Sequence, residues 1–287
     1  MEKYDIHLHL TLEQYPPFEG MHVSSAENML PHLKELGIKK GVLMSTGEGS
    51  MIPLGTNEEC EKIAEKFPEH YAWMCNVNAV KPETLRERLQ KYKEAGAVGV
   101  GEVTLGQRMD SAFMQVLFAA AQETKLPILM HLSPDEREGY GVVELPGLLL
   151  LRQTLEKYPD LVVIGHSQPF WHEISKDASE EADARNQWGS GPVIPGGILP
   201  KLLDEYPKLY CDLSANSGGC ALMRDPSFGI DFLKKYHDRL LFGTDMTNTD
   251  MTFPLGSWIE EQCEKGMLSR EICEQIFVEN ARKILHI

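Results

Sequence analysis

Six side chains of the kinds that bind metal ions stand at the ends of apolar runs in this sequence. His7 and His9 alternate with apolar residues near the N-terminus, so on a β-strand both project to one side. Four further candidates end or nearly end other apolar runs: Glu102, His131, His166 and Asp245. Imidazoles combined with carboxylates suit borderline divalent ions. The sequence therefore predicts a site for Zn²⁺, with Mn²⁺, Fe²⁺ and Ni²⁺ as alternatives, and disfavours Ca²⁺ and Mg²⁺.

Each candidate also has an explanation that needs no metal. Glu102 fits a buried ion pair, His131 and His166 fit hydrogen-bonded core histidines, and Asp245 fits a turn or helix cap. Their shared position at strand ends makes these separate explanations less economical than one common site. Six ligands exceed what a single tetrahedral catalytic ion with an open position takes, and they suffice for two ions that share a carboxylate.

Short apolar runs alternate with longer amphipathic stretches along the chain. The runs predict eight strands: Tyr4–Leu10, Lys40–Thr46, Tyr71–Asn78, Val98–Leu105, Pro127–Ser133, Leu161–Ser167, Leu209–Ala215 and Leu240–Asp245. The stretches between them predict helices over Ala26–Leu36, Glu58–Phe67, Pro82–Ala95, Ser111–Thr124, Leu145–Tyr158, Ile198–Tyr206 and Phe228–His237. Such alternation is typical of right-handed βαβ units with parallel strands. Eight units in 287 residues predict an α/β fold, a (β/α)₈ barrel with its site at the C-terminal strand ends.

A doubly wound open sheet is the competing architecture. A dinucleotide-binding sheet of that type carries Gly-x-Gly-x-x-Gly after its first strand. Here the first predicted strand continues into Thr11-Leu12-Glu13-Gln14, so the barrel is favoured. No linker or repeat divides the sequence, which predicts one domain over residues 1–287, closed by C-terminal helices over about 256–287.

Two connections are longer than their strands require. Leu10–Ser24 follows the first predicted strand and Gln168–Pro195 follows the sixth, so both lie on the face where barrels place their chemistry. The second connection supplies the predicted substrate-binding residues Trp171, His172 and Arg185. Elsewhere, Asp5 is a candidate partner for a ligand histidine, while Asp212 and Ser214 either face the pocket or pack against the barrel.

Composition limits the classes of partner. The chain has 28 basic and 43 acidic residues, a formal charge of −15, which opposes binding to nucleic acid or anionic membranes. No run approaches the roughly 20 apolar residues of a membrane helix. The six cysteines form no Cys-x-x-Cys pair, and no cleavable apolar segment precedes them, which predicts a reduced, cytoplasmic protein. The oligomeric state stays open, and a homo-oligomer is compatible with the sequence.

The motifs together resemble the amidohydrolase superfamily. The resemblance covers Asp5-x-His7-x-His9, the carboxylate Glu102 and the strand-ending histidines His131 and His166, and it ends at Gly243-Thr244-Asp245. The last motif and the layout are most similar to the amidohydrolase-2 branch, a metal-dependent TIM-barrel group that includes hydrolases, lactonases, decarboxylases and hydratases. The Gly-Glu pair at Glu102 is also similar to TatD-type deoxyribonucleases, which the charge of −15 disfavours.

The resemblance implies a role for each candidate. His7, His9 and Asp245 hold one ion, His131 and His166 hold a second, and Glu102 bridges them where many relatives have a carboxylated lysine. Asp245 then takes a proton from the bridging hydroxide, which attacks the substrate.

We therefore expect a binuclear metal-dependent hydrolase that cleaves an ester, lactone or amide bond in a small molecule, with or without a carboxylate group. One alternative is a mononuclear decarboxylase or hydratase of the same superfamily, with His166 as acid or base. A third hypothesis, a barrel that binds a metal or ligand without catalysis, is disfavoured because all six ligands are present.

Overall fold

The computed structural model describes residues 1–17, 20, 22–48, 55–137 and 139–287. Within these ranges every strand pair is parallel. In chain order the strands are β1 (Lys3–Leu8), β2 (Ile38–Met44), β3 (Tyr71–Met74), β4 (Val100–Val103), β5 (Leu105–Arg108), β6 (Ile128–Ser133), β7 (Gly141–Val143), β8 (Val163–His166), β9 (Leu209–Asp212) and β10 (Leu240–Leu241).

Eight of these strands close into a barrel. The ladders run β1–β2–β3 and then β4–β6–β8–β9–β10. Cys75 joins the two ladders on one side by bridging to Val100. On the other side Leu8 bridges to Met246, and the backbone N–H of Ile6 donates to Phe242 O at 2.9 Å. These contacts complete the predicted (β/α)₈ barrel.

Helices connect successive strands of the barrel, and three more follow the last strand. They are α1 (Ala26–Glu35), α2 (Asn57–Lys66), α3 (Leu85–Glu94), α4 (Ala112–Thr124), α5 (Leu149–Lys157), α6 (Gln168–His172), α7 (Ala182–Arg185), α8 (Ile198–Glu205), α9 (Ala215–Met223), α10 (Pro226–Tyr236), α11 (Leu255–Glu264), α12 (Arg270–Glu274) and α13 (Asn280–Leu285). Side-chain caps fix several starts: Ser25 accepts from Asn28 N, and Thr56 forms a capping box with Glu59. Within the described ranges, no helix combines the length and hydrophobicity that a membrane span requires.

All eight predicted strands are barrel strands, but most end earlier than predicted. The backbone beyond three of the ends turns into the left-handed region, with φ of 90° at Ser167, 54° at Ala215 and 63° at Asp245. A residue in this region cannot continue an extended strand, so the strand conformation does not reach these predicted ends. Ser167 and Ala215 instead lie at the starts of α6 and α9. Five elements were not predicted, namely β5, β7, α6, α7 and α9. Two of them, α6 and α7, lie in the connection 168–195; residues 18, 19 and 21 of the other long connection lie outside the described residues.

The C-terminal helices are joined to the barrel through Asn280. Its buried amide Nδ2 donates to His237 O at 2.6 Å and to Leu240 O at 2.7 Å, at the start of β10. Its Oδ1 accepts from Gln275 Nε2 at 2.6 Å. The side chain therefore bonds two backbone carbonyls at and just before the start of β10, and it fixes α13 against the last barrel strand.

Replacing Asn280 should destabilise the fold. Asn280→Ala leaves the two carbonyls of His237 and Leu240 without this donor, and we expect the free energy of unfolding to fall by about 2–4 kcal/mol. Chemical denaturation followed by circular dichroism measures this change. Asn28→Ala, on the exposed face of α1, is the control and should shift stability by less than about 0.5 kcal/mol. Equal stabilities for the two variants would contradict the assigned role.

Candidate metal centre

The six predicted ligands meet at the C-terminal mouth of the barrel. His7 lies on β1, Glu102 on β4, His131 on β6 and His166 at the end of β8. His9 lies just beyond β1, where its N–H donates to Met246 O at 3.0 Å. Asp245 follows β10, and its N–H donates to His7 O at 2.8 Å. The carboxyl ends of parallel barrel strands lie on one rim, which brings these distant parts of the sequence together.

Glu102 lies between two pairs of histidines and is only 4% exposed. Its Oε1 is 2.8 Å from His131 Nδ1 and 3.7 Å from His166 Nε2. Its Oε2 is 3.8 Å from His7 Nε2 and 3.6 Å from His9 Nε2. The two oxygens of one carboxylate therefore face two different pairs of imidazoles.

Asp245 completes the cluster from the opposite side of the seam. Its Oδ1 is 3.5 Å from His7 Nε2 and 3.2 Å from His9 Nε2, and its Oδ2 is 3.8 Å from His166 Nε2. The six predicted ligands form two groups, each with all its ligand atoms within 4.8 Å of one another: His7, His9 and Asp245 in one, Glu102, His131 and His166 in the other. A third group of the same kind joins His7 and His166 to Asp212.

Asp212, which the sequence left undecided, lies directly behind the cluster. Its Oδ2 is 2.6 Å from His7 Nδ1 and 3.2 Å from His166 Nδ1. Ser214 Oγ donates to the same oxygen at 2.8 Å. A carboxylate on Nδ1 holds that nitrogen in its protonated form and leaves Nε2 as the free lone pair. Both histidines therefore present Nε2 to the centre of the site.

Asp5 acts on the backbone and not on an imidazole ring. Its Oδ1 accepts from the N–H groups of His7 and Thr244, each at 3.0 Å, and its Oδ2 accepts from Thr244 Oγ1 at 2.6 Å. Burial raises the pKa of Asp5 to about 7, although the hydrogen bonds from Thr244 oppose this effect. The predicted contact with a ligand ring is thus made by Asp212, and Asp5 fixes the two segments that carry His7 and Asp245.

In the cluster, carboxylates and imidazoles offset the effect of burial on one another's pKa. Burial lowers the pKa of His7, but the nearby carboxylates of Asp245 and Asp212 outweigh burial and hold that pKa well above its usual value. Burial raises the pKa of Glu102, but hydrogen bonds with His131 and His7 outweigh it and hold that pKa well below its usual value. Among the described residues, no lysine or arginine forms an ion pair with the carboxylates of the cluster.

A cavity of about 310 Å³ opens onto the cluster, and His9, Glu102, His131 and Asp245 are among its lining residues. Sequence reasoning missed another lining residue, Tyr140, because it lies in a loop without a motif. Its hydroxyl is 3.4 Å from Glu102 Oε2, and its ring stands edge-on to His131 with the centroids 4.9 Å apart. Burial, and then the charges of Glu102 and Asp245, raises the pKa of this phenol.

The three predicted substrate-binding residues are not among the described residues that line this cavity. Trp171 is buried, and its indole Nε1 donates to Asp212 O at 3.0 Å, so it packs behind the cluster. His172 lines a second cavity of about 290 Å³, and its Nε2 is 3.1 Å from Ser179 O. Arg185 is buried and donates to Pro134 O and to Glu144 O, at 3.2 Å and 3.0 Å. Substrate contact by these three stays a prediction.

Comparisons with known structures agree with the barrel. The chain is similar to an uncharacterized TIM-barrel protein from Bordetella bronchiseptica, at 17% identity and a TM-score of 0.63, over 100% of this chain and 99% of that one. It is similar to a probable 2-pyrone-4,6-dicarboxylic acid hydrolase from Acinetobacter baumannii, at 14% identity and a TM-score of 0.63, over 100% of both chains. It is also similar to 2,6-dihydroxybenzoate decarboxylase from Rhizobium, at 15% identity and a TM-score of 0.62, over 99% of this chain and 98% of that one. At these identities the similarity shows a shared fold.

A comparison with curated proteins gave no match. The sequence model of one family, described as Amidohydrolase and representing the amidohydrolase-2 branch, matches residues 4–287. Because this match covers nearly the whole chain, the protein belongs to the amidohydrolase family, in its amidohydrolase-2 branch.

Proposed function

We propose that this protein is a metal-dependent hydrolase that cleaves an ester, lactone or amide bond in a small molecule and uses two divalent ions. The observation that carries the proposal is the placement of Glu102, whose two oxygens face different pairs of imidazoles. A carboxylate in that position would serve as a ligand to both ions. The neighbouring group of His7, His9 and Asp245 supplies the remaining ligands of one of them.

The donor set fits a divalent metal. Asp212 turns Nε2 of His7 and of His166 toward the centre, which is the orientation that metal-binding histidines adopt. Buried carboxylates without a lysine or arginine partner are costly unless a cation neutralises them. Imidazole-rich sites favour Zn²⁺, so we propose zinc, with Mn²⁺, Fe²⁺ and Ni²⁺ as alternatives.

Asp245 is the proposed acid–base residue. Bound divalent ions supply a water-derived nucleophile at neutral pH and polarise the substrate carbonyl. The side chain of Asp245 is 27% exposed and lines the cavity, so its carboxylate can accept a proton from water and pass it to the leaving group. The pKa of Asp245 lies below its usual value, because the charge of His7 and the hydrogen bond with His9 outweigh burial. The ionised, proton-accepting form is therefore favoured.

The second candidate is a decarboxylase or hydratase with one ion. Of the four histidines, His166 is the one without an oxygen of Glu102 or Asp245 within 3.5 Å, since its Nε2 is 3.7 Å from Glu102 and 3.8 Å from Asp245. In this alternative His166 acts as acid or base and is not a ligand. One structural neighbour is a 2,6-dihydroxybenzoate decarboxylase, which supports the same alternative at the level of fold.

The remaining assignments follow from composition. We propose a small-molecule substrate, no nucleic-acid or membrane partner and a cytoplasmic location, on the strength of the charge of −15 and six cysteines without disulfides. The one-domain organisation and a homo-oligomeric state stay predictions.

Metal content separates the two candidate functions. Elemental analysis of protein purified without chelators should give about two ions per chain, because the two oxygens of Glu102 face different pairs of imidazoles. Glu102→Gln should lose metal, since a neutral amide cannot neutralise either ion. One ion per chain, with Glu102→Gln retaining both metal and activity, would contradict the binuclear hydrolase and favour the lyase.

The role of Asp245 can be tested once a substrate from a screen of esters, lactones and amides is in hand. Asp245→Asn removes the proton acceptor, and we expect kcat to fall about 10²- to 10⁴-fold in a variant that remains folded. Asp250→Asn makes the same change on the same connection, at an exposed carboxylate, and should leave kcat unchanged. Wild-type turnover in Asp245→Asn would refute the assigned role.

Asp212 should control metal affinity without being a ligand. Asp212→Asn weakens the acceptor that orients His7 and His166, and we expect the dissociation constant for Zn²⁺ to rise about 10- to 100-fold. Competition with a chromogenic chelator measures this constant. Asp204→Asn, at a surface ion pair with Lys235, is the matched control and should bind as the wild type does.

A further inference from the structure

A short parallel extension stands beside the barrel at the cavity. It consists of β5 and β7. β5 begins three residues after Glu102, with only Thr104 between it and β4, and β7 begins directly after Tyr140. The two strands pair at Leu105 with Gly141 and at Arg108 with Val143. The extension therefore fixes the distance between the strand that carries Glu102 and the loop residue Tyr140.

Glycines allow the two halves of the extension to meet. Gly106 has φ of 62°, and a Cβ added there would lie 2.4 Å from Gly139 O. Gly139 is the residue before Tyr140 and has φ of 64°. An L-residue side chain at position 106 would push directly on the backbone that positions Tyr140.

Both ends of the segment that carries Tyr140 are also anchored. Arg185 donates from one guanidinium to Pro134 O before the segment and to Glu144 O after it. The side chain of Glu144 accepts from the N–H groups of Leu145, Leu150 and Leu151 at 2.7–2.9 Å, at the start of α5. Because β7 and Glu144 follow Tyr140 directly, the contacts of Glu144 restrain the position of Tyr140.

The hydroxyl of Tyr140 makes only a long, weak hydrogen bond to Glu102 in the structure. Its distance of 3.4 Å from Glu102 Oε2 exceeds the roughly 2.5–3.0 Å of a normal O–H···O hydrogen bond. The side chain lines the cavity and is 46% exposed. A phenol in this position can turn its O–H toward a ligand in the cavity at little energetic cost.

We propose that Tyr140 is a further catalytic residue, whose hydroxyl donates a hydrogen bond to the anionic oxygen that forms when the substrate carbonyl is attacked. This inference rests on the proposed hydrolase function. A fixed donor aimed at developing charge stabilises the transition state more than the ground state. The phenol stays neutral throughout and contributes only its hydrogen bond.

The step balances without another reactant. A water oxygen that has given a proton to Asp245 forms a bond to the carbonyl carbon. The electron pair of the C=O π bond moves to the carbonyl oxygen, which then accepts the hydrogen bond from Tyr140. When C=O re-forms, the bond to the leaving group breaks, and the leaving group takes the proton from Asp245.

Binding of methylphosphonate tests the proposal without a known substrate. This tetrahedral anion resembles the attacked carbonyl, and its affinity for zinc-loaded protein is measured by calorimetry. We expect Tyr140→Phe to bind it about 10- to 100-fold more weakly, with unchanged zinc content and zinc affinity. Tyr206→Phe, which removes the hydroxyl that bonds to Glu156 2.9 Å away on the surface, should bind as the wild type does.

Each other outcome overturns a defined part of the inference. Equal methylphosphonate binding by Tyr140→Phe and wild type would refute the role of Tyr140 and leave the hydrolase proposal intact. Weaker zinc binding by Tyr140→Phe would show that the phenol serves the metal site. Zinc-loaded wild type that does not bind methylphosphonate would overturn both proposals.

A second pair of variants tests the positioning. Gly106→Ala introduces a Cβ against Gly139 O and should also weaken methylphosphonate binding, with zinc affinity retained. Gly266→Ala imposes the same kind of backbone strain, at φ of 70°, but its Cβ meets no atom within 4 Å. It should leave methylphosphonate binding unchanged, and equal effects of the two substitutions would contradict a fixed position for Tyr140.

Discussion

The carboxylate of Asp212, placed against the Nδ1 atoms of His7 and His166, is the interaction on which the arrangement of the site depends. It sets which nitrogen of each ring faces the centre, and it is itself tightly enclosed. Trp171 donates to its backbone carbonyl, and a Cβ at Gly243 would lie 2.8 Å from its Oδ1. Glycine at position 243 thus permits the close approach of the last strand, which brings Asp245 into the cluster.

The seam that closes the barrel is also the seam that builds the site. Asp5 joins the backbone of β1 to Thr244, and Asp245 N–H donates to His7 O. The hydrogen bonds that close the barrel therefore also bring Asp245 to His7 and His9. The charges of the cluster oppose that closure unless they are compensated, because several of its carboxylates and imidazoles, among them Glu102, His7 and Asp212, are buried. This constraint links the stability of the barrel to the cation that the site is suited to bind.

Much of the site was predictable because its signals are local. A His-x-His alternation, and single histidines and acids at the ends of apolar runs, combine strand periodicity with chemistry, and parallel strands of a barrel end on a common rim. From these features the sequence predicts eight strands, the barrel and a cluster that contains His7, His9, Glu102, His131, His166 and Asp245. The structure contains the barrel and brings all six side chains together.

Side-chain orientation and long-range packing were decided only in the tertiary structure. Asp212 and Ser214 lie at and just beyond the end of β9 and reach His166 because β9 pairs with β8. Asp5 reaches the backbone N–H of Thr244 because the seam closes beside it. Tyr140 enters the cavity through pairing between β5 and β7, which join segments separated by a helix and a barrel strand. Residue type and spacing alone determined which groups lie at the mouth of the barrel. Contacts between distant segments determined which atoms face one another, because a side chain's partner depends on packing that no local pattern encodes.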